Sequence, residues 1–283
     1  MCGTDETMDN FQNRRAARAR RRLLRFLVAG ATGALLSRRA AIAQGFGREP
    51  PAAFLLTAAA NSGAVCVADP METAGPFPSD GTNRIGGSVS DVLLDSRIVR
   101  SDIRGSFGAS NLRANGVPLR LTLRLLEART SCRPLGNAAI YIWHCDSRGA
   151  YSLYADSLAR VNYLRGVQVS GPDGEVVFQT VFPGCYFGRY PHIHIEVYPS
   201  LAATATRGGS ILTTQLAMPR DVANAVYRGA SDYSHSAENL LRITTQSDMV
   251  FADSSAAQIA LQTPALAGSA QSDYTGRATI AIA

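Results

Sequence analysis

The 283-residue sequence lacks several short patterns that mark common kinds of site. No C-x-x-C pair is present, which argues against a zinc site built from cysteine thiolates. No G-x-S-x-G segment is present either, so a nucleophile elbow for a serine-based triad cannot be identified. Paired glycines such as Gly86-Gly87 do not stand between a strand pattern and a helix pattern, which argues against a phosphate-binding loop.

Lysine is absent, and the 28 basic residues are all arginines. Residues 1–43 hold nine arginines against Asp5, Glu6 and Asp9, whereas the remainder of the chain has nineteen arginines and nineteen acidic residues. The formal net charge of +6 therefore belongs to the N-terminal segment. We infer no nucleic-acid partner from it, because the rest of the chain is electrically balanced.

The N-terminal segment has the organisation of an export signal. An arginine-rich stretch from Arg14 to Arg25 precedes a short apolar run, Phe26 to Leu36, and the small-residue site Ala41-Ile42-Ala43 follows. The stretch from Arg21 to Leu27 resembles the twin-arginine export motif. The apolar run is too short to anchor the chain in a bilayer. The alternative is a basic tail without a targeting role.

The sequence therefore predicts a cleaved signal over residues 1–43, a linker over residues 44–65 and a mature chain that is periplasmic or secreted, with no membrane span. Four cysteines remain in that mature chain: Cys66, Cys132, Cys145 and Cys185. In an exported protein they allow three disulfide pairings, among which the sequence does not choose. Buried free thiols are the alternative.

Residues 66–283 show short strand patterns separated by Gly, Pro, Asn and Asp. With 46% apolar residues, the chain can bury a full core. The predicted strands cover residues 119–126, 138–144, 175–182, 192–198, 210–217, 258–262 and 277–282. One helix is predicted over residues 219–227, with Pro219 at its start. We predict an all-β domain, an antiparallel β-sandwich with few short helices.

Two of the four histidines lie on one predicted strand. His192, His194 and Glu196 alternate with apolar residues, so the two imidazoles leave the same face of the strand about 7 Å apart at the backbone. At that spacing both can reach one metal ion. A strand that shows two histidines to solvent is the alternative.

Three segments in a fixed order carry a resemblance to a known family. Residues 72–77 read E-T-A-G-P-F, Trp143 is followed by Gly149 and Tyr151, and residues 183–194 contain P-G-x-Y and then H-x-H. In this order the segments resemble those of the intradiol ring-cleavage dioxygenases, non-haem iron(III) enzymes that include the catechol and protocatechuate dioxygenases. The similarity extends from about Cys66 to the C-terminus.

The resemblance implies a set of Fe(III) ligands, namely Tyr151, Tyr186, His192 and His194. Phenolates are hard, anionic donors suited to Fe(III), and imidazole also suits iron. It further implies catalytic roles for three residues: Arg189 stabilises negative charge on the substrate, Tyr186 serves as a base, and Gln168 lies near the substrate. The alternatives are a surface arginine and a glutamine at a sheet edge. His144 is interpreted as structural and His235 as solvent-facing.

The activity implied by the resemblance is cleavage of a catechol-type ring between its two hydroxylated carbons. O2 is the co-substrate, both of its atoms enter the product, and that product is a muconate-type diacid. The resemblance does not identify the ring substituents, and it is compatible with a homo- or hetero-oligomer. Two alternatives remain: an exported β-sandwich module that binds a metal or an aromatic compound without turnover, and a copper or zinc enzyme that uses His192 and His194.

Overall fold

The computed structural model describes residues 66–283. The predicted signal (residues 1–43) and linker (residues 44–65) lie outside the described residues, so both segments and the boundary at residue 66 stay predictions. No helix among residues 66–283 is long and apolar enough to cross a bilayer.

The described chain is mainly β-sheet with few short helices, as predicted. The strands are β1 (Asp80–Ile85), β2 (Ser88–Asp91), β3 (Pro118–Glu127), β4 (Arg133–Pro134), β5 (Ala139–Trp143), β6 (Arg165–Val169), β7 (Glu175–Val181), β8 (His192–Tyr198), β9 (Leu212–Ala217), β10 (Ala265–Ala267) and β11 (Tyr274–Ile282). The α-helices are α1 (Arg220–Gly229), α2 (Ser234–Leu240) and α3 (Ala256–Leu261).

Two sheets account for most of the strands. One is antiparallel, in the order β6-β5-β8-β9. The other has the order β10-β11-β3-β4, with β7 also paired to β3. The prediction of purely antiparallel pairing is wrong at β11 and β3, which run parallel from Tyr274 opposite Leu119 to Ile282 opposite Glu127. Two parallel strands need a long connection between them, and here the chain from β4 to β10 forms that connection.

Alternating residues of the long strands form the core. In β3, Leu119, Leu121 and Leu123 are buried, whereas Arg120 and Arg124 are exposed. The same apolar cluster contains Ile140 and Ile142 of β5 together with Ile193, Ile195 and Val197 of β8. Burying each such side chain contributes about 1.5–3 kcal/mol. Because strand side chains alternate, the apolar residues of β8 direct His192, His194 and Glu196 to the opposite face.

One predicted strand is in fact a helix. Residues 258–262 were expected to be extended, but Ala256–Leu261 forms α3. Ser255 caps this helix: its hydroxyl accepts from the Gln258 backbone N–H, and the Gln258 side chain accepts from the Ser255 N–H. This reciprocal S-x-x-Q arrangement satisfies two free donors of the first turn, which favours the helix over a short strand. The predicted helix over residues 219–227 is confirmed as α1.

The structure also selects a cysteine pairing. A disulfide joins Cys66 to Cys132, in the connection between β3 and β4, while Cys145 and Cys185 are buried free thiols. The bond closes a loop of 66 residues. In the chain-entropy description, a loop of that length stabilises the folded state by about 4 kcal/mol. It therefore fastens the N-terminal end of the described chain to the β3–β4 connection.

Candidate active site

The candidate site lies on the face of the four-stranded sheet that is turned away from the apolar core. His194 of β8 is in register with Trp143 of β5 and with Gln215 of β9. His192 lies two residues earlier on the same face. Both imidazoles are 1% exposed, so the alternative in which this strand shows its histidines to solvent is wrong.

Three potential ligand atoms converge on one point. The Nε2 atoms of His192 and His194 are 3.0 Å apart, and each is 3.2 Å from the hydroxyl oxygen of Tyr151. Ligand atoms about 2.1 Å from one metal ion, at angles near 90–100°, stand about 3.0–3.2 Å from one another. The three atoms are thus spaced as ligands of a single cation would be.

Tyr186 borders this triangle. Its ring centroid is 5.7 Å from that of Tyr151 and 5.7 Å from that of His192, with both pairs edge-on. The loop before Tyr151 approaches Tyr186 closely at Gly149, which has a φ of +88°. A Cβ at Gly149 would lie 2.9 Å from Tyr186 Cβ, so glycine permits both the turn and the contact. The structure therefore brings Tyr151, Tyr186, His192 and His194 together.

The imidazoles are neutral in this environment. Burial lowers the pKa of both His192 and His194 well below the ordinary value. The Nδ1 atom of His192 donates to the Tyr190 carbonyl, 2.5 Å away, which leaves its Nε2 lone pair free to face the triangle. The Nδ1 of His194 has no hydrogen-bond partner among the described residues. Both rings are therefore uncharged, and the Nε2 atom of His192 offers its lone pair to the centre.

The phenols are also neutral. Burial raises the pKa of Tyr151 well above its ordinary value. Burial raises the pKa of Tyr186 to about 12, and the Arg189 guanidinium acts in the opposite direction. A bound cation reverses this preference because it favours the phenolate form.

The donor set fits Fe(III). It offers two phenol oxygens and two imidazole nitrogens, and hard anionic oxygen donors suit a ferric ion. Among residues 66–283, no group of three or more His, Cys, Asp and Glu side chains is arranged to hold a metal. The tyrosines are therefore needed to complete a ligand set at this site.

Aromatic packing fixes the orientation of the ligand rings. The Trp143 indole is fully buried, as expected for a core residue, and stacks on the His194 ring with 4.7 Å between centroids and an interplanar angle of 3°. Phe77 packs against Tyr151 at 4.6 Å. These contacts limit rotation of the two rings about their side-chain bonds.

Arg189 is held beside Tyr186 by two buried partners. Its Nε donates to Asp248 at 2.9 Å, its Nη2 donates to Gln215 at 2.6 Å, and its Nη1 lies 3.4 Å from the Tyr186 hydroxyl. Only 5% of Arg189 is exposed, so the surface-arginine alternative is wrong. Burial opposes its charge, but the anionic forms of Tyr186 and Asp248 outweigh that effect and raise its pKa. Gln215 is itself fixed by a 2.8 Å bond to the Thr73 carbonyl.

Gln168 is not brought to the site. His194, Trp143 and Arg165 are paired across neighbouring strands and so share one face, whereas Gln168 is paired with Ile140 on the core-facing side. Gln215 and Asp248, which hold Arg189, had no predicted role. One signal for Gln215 was its position as a lone amide in a strand with apolar neighbours, Leu216 and Ala217.

The other two described histidines lie apart from the ligand triangle. His144 is buried, and its ring nitrogens contact the Cys145 carbonyl at 2.8 Å and the Thr180 hydroxyl at 2.7 Å, which agrees with a structural role. His235 is exposed, as predicted, and lies on α2.

We expect His144→Gln to flatten the pH dependence of stability. Burial lowers the pKa of His144 from 6.5 to about 4. Between those values the unfolded chain binds the extra proton, so acidification removes about 3 kcal/mol of unfolding free energy that is fully present above pH 6.5. Urea unfolding of the metal-free wild type and variant at pH 7, 5.5 and 4.5 measures the difference. Two parallel curves would contradict this assignment.

Comparison with known proteins gives one family match. The family model Dioxygenase_C, described as Dioxygenase, matches residues 109–207, the segment that contains all four clustered side chains. A search of curated protein sequences gave no match.

Solved structures give the fold. The intradiol ring-cleavage dioxygenase from Tetranychus urticae is 24% identical with a TM-score of 0.57, and the alignment covers 77% of this chain and 95% of that one. A second dioxygenase crystal structure is 24% identical with a TM-score of 0.56, covering 77% and 94%. The dioxygenase domain of a carbohydrate-binding fusion from Streptomyces sp. SirexAA-E is 21% identical with a TM-score of 0.45, covering 76% and 98%. The chain therefore shares the fold of an intradiol ring-cleavage dioxygenase, and its residues 109–207 match the family model Dioxygenase_C.

Proposed function

We propose that the protein is a non-haem iron(III) dioxygenase that cleaves a catechol-type ring between its two hydroxylated carbons, with O2 as co-substrate and a muconate-type diacid as product. The observation that carries the proposal is the triangle formed by Tyr151, His192 and His194, with Tyr186 beside it. The family match over residues 109–207 supports the same reaction class.

Tyr151, Tyr186, His192 and His194 would hold the metal. A ferric ion in that position supplies a template and a Lewis acid for a catechol and O2. The protein's contribution is to keep both imidazoles neutral and to keep the site buried, so that charges there interact strongly.

Arg189 would act on the charge of the substrate. Asp248 and Gln215 occupy its Nε and Nη2, which leaves Nη1 on the side of Tyr186. A preorganised cation stabilises negative charge that develops beside it, and it needs no reorganisation during the reaction. In the phenolate form that a bound cation favours, Tyr186 would accept a proton from a substrate hydroxyl, and the neighbouring Arg189 guanidinium would stabilise the negative charge left on the substrate oxygen.

Oxygen uptake and product analysis test the proposal. Iron-loaded protein is expected to be red-brown from phenolate-to-iron charge transfer, and its visible band is expected to shift when a catechol is added. A panel of catechol, protocatechuate, hydroxyquinol, alkylcatechols and chlorocatechols, followed by mass spectrometry, should show a product that has gained both oxygen atoms. Colourless protein at full iron occupancy would contradict the ligand set. A coloured, substrate-responsive protein without oxygen uptake would favour the binding module.

We also propose that the chain is exported through the twin-arginine pathway and that its two sheets pack as a sandwich. The Cys66–Cys132 disulfide supports export, because such bonds persist in oxidising compartments. The apolar cluster shared by Leu121 of β3 and Ile195 of β8 supports the sandwich.

Replacing Arg21 and Arg22 with lysine should retain the protein inside the cell. Unchanged export of that variant would contradict the assigned route.

A further inference from the structure

Arg165 is a fully buried cation on the sheet face that carries His194. It is the first residue of β6, is 0% exposed, and is in register with Trp143 on the face that carries His194. Among the described residues, no carboxylate lies within salt-bridge distance of it. A buried charge without a counter-charge is costly unless many hydrogen bonds compensate for it, so its retention here needs an explanation.

The guanidinium bonds to both segments that enclose Tyr151. Its Nε donates to the Ser152 hydroxyl at 3.0 Å and its Nη2 to the Ser152 carbonyl at 3.0 Å, so two bonds fix the residue directly after Tyr151. Its Nη1 donates to the Pro78 carbonyl at 3.0 Å, next to Phe77, whose ring packs on Tyr151 at 4.6 Å.

The same chain segment has a strained backbone. Leu153, two residues after Tyr151, has a φ of +71°, and Leu164, directly before Arg165, has a φ of +56°. Branched residues adopt such angles only where the surroundings impose them. The Tyr154 ring, with its centroid 5.3 Å from the guanidinium carbon, adds a cation–π contact on the far side of Leu153.

Lysine cannot reproduce this arrangement. A planar guanidinium has five donors in a fixed fork and can span Ser152 and Pro78 at once, whereas an ammonium is a point charge with three donors. The number and direction of bonds, rather than charge alone, therefore distinguish Arg165.

We propose that Arg165 is a positioning residue for Tyr151: by clamping Ser152 and Pro78 it holds the phenol oxygen at the point where the His192 and His194 nitrogens converge. The inference rests on the proposed function only for what binds there. The clamp itself is a property of the chain and can be tested without iron.

The decisive variant is Arg165→Lys, which keeps the charge. The matched control is Arg100→Lys, because Arg100 also donates to backbone carbonyls, those of Gly105, Asn162 and Arg165, but makes no hydrogen bond to Ser152 or Pro78. In metal-free protein, nitration by tetranitromethane with peptide mapping should leave Tyr151 unreactive in the wild type and in Arg100→Lys, and should modify it in Arg165→Lys. In iron-loaded protein, chelator competition should show an affinity for Fe(III) about 10- to 100-fold lower in Arg165→Lys, with a weakened visible band.

If Arg165→Lys has the same Tyr151 nitration, iron affinity and visible band as the wild type, the proposal is overturned. If the wild type has no visible band at all, the proposed function fails, while the nitration result still decides the clamp. If Arg165→Lys does not fold, Ser152→Ala replaces it, since this change removes one of the two acceptors at Ser152. That variant should show partial Tyr151 nitration and a smaller loss of iron affinity, and wild-type behaviour in both assays would again overturn the clamp.

Discussion

Tyr151→Phe is expected to weaken or abolish the charge-transfer band of the iron-loaded protein and to lower kcat by more than about 100-fold. The expected loss exceeds the 10- to 100-fold typical of groups that only support a metal ligand, because the change removes a donor atom itself. The phenyl ring keeps the 4.6 Å packing against Phe77, so the ring position should be preserved. Visible spectra, iron content and oxygen uptake measure the effect.

The matched control for this change is Tyr163→Phe. Tyr163 is also buried, and its hydroxyl donates to Asp146 rather than to the triangle. That variant should keep the band and the activity. In metal-free protein, Tyr151→Phe should lower the free energy of unfolding by about 1–3 kcal/mol, because it leaves a buried imidazole nitrogen without the Tyr151 hydroxyl as its partner. Full activity in Tyr151→Phe would refute the ligand set.

Arg189→Met is expected to lower kcat by about 100- to 1,000-fold, the range seen when a preorganised group that stabilises developing charge is removed. It should also lower the free energy of unfolding by about 3–5 kcal/mol, because Asp248 is left as a buried, unpaired carboxylate. The iron band of the folded fraction should persist, since the predicted ligands are unchanged.

Arg189→Lys separates these two effects. An ammonium can still pair with Asp248, so most of the stability should return, but it cannot also reach Gln215 and keep a donor beside Tyr186. We therefore expect near-wild-type unfolding with kcat still reduced. Recovery of activity in parallel with stability would assign Arg189 a structural role only.

The sequence predicted those structural features that depend only on residues close together in the chain. The alternation of His192 to Val197 predicted the strand and which face carries the histidines, because the period of a strand depends on neighbouring residues alone. Proximity of Tyr151 to that strand rested on the family resemblance, since no local pattern joins residues 41 positions apart.

Local sequence patterns could not predict the pairing register of strands that are far apart in the sequence. Gln168 and Gln215 both lie in apolar strands, and only the pairing of β6 and β9 with their neighbours decides which one faces His194. A shift of one residue would have exchanged the two faces. The single disulfide between Cys66 and Cys132, and the parallel β3–β11 pair, depend in the same way on the assembled chain.

The neutral phenols of Tyr151 and Tyr186 have a consequence for metal acquisition. Because burial keeps both protonated, each phenolate that enters a metal complex releases one proton to solvent. Apparent metal affinity then changes about tenfold per pH unit for each proton released, and about a hundredfold for two. A compartment more acidic by one unit would thus disfavour loading by up to two orders of magnitude, whereas a protein loaded before export would meet that acidity with its metal already in place.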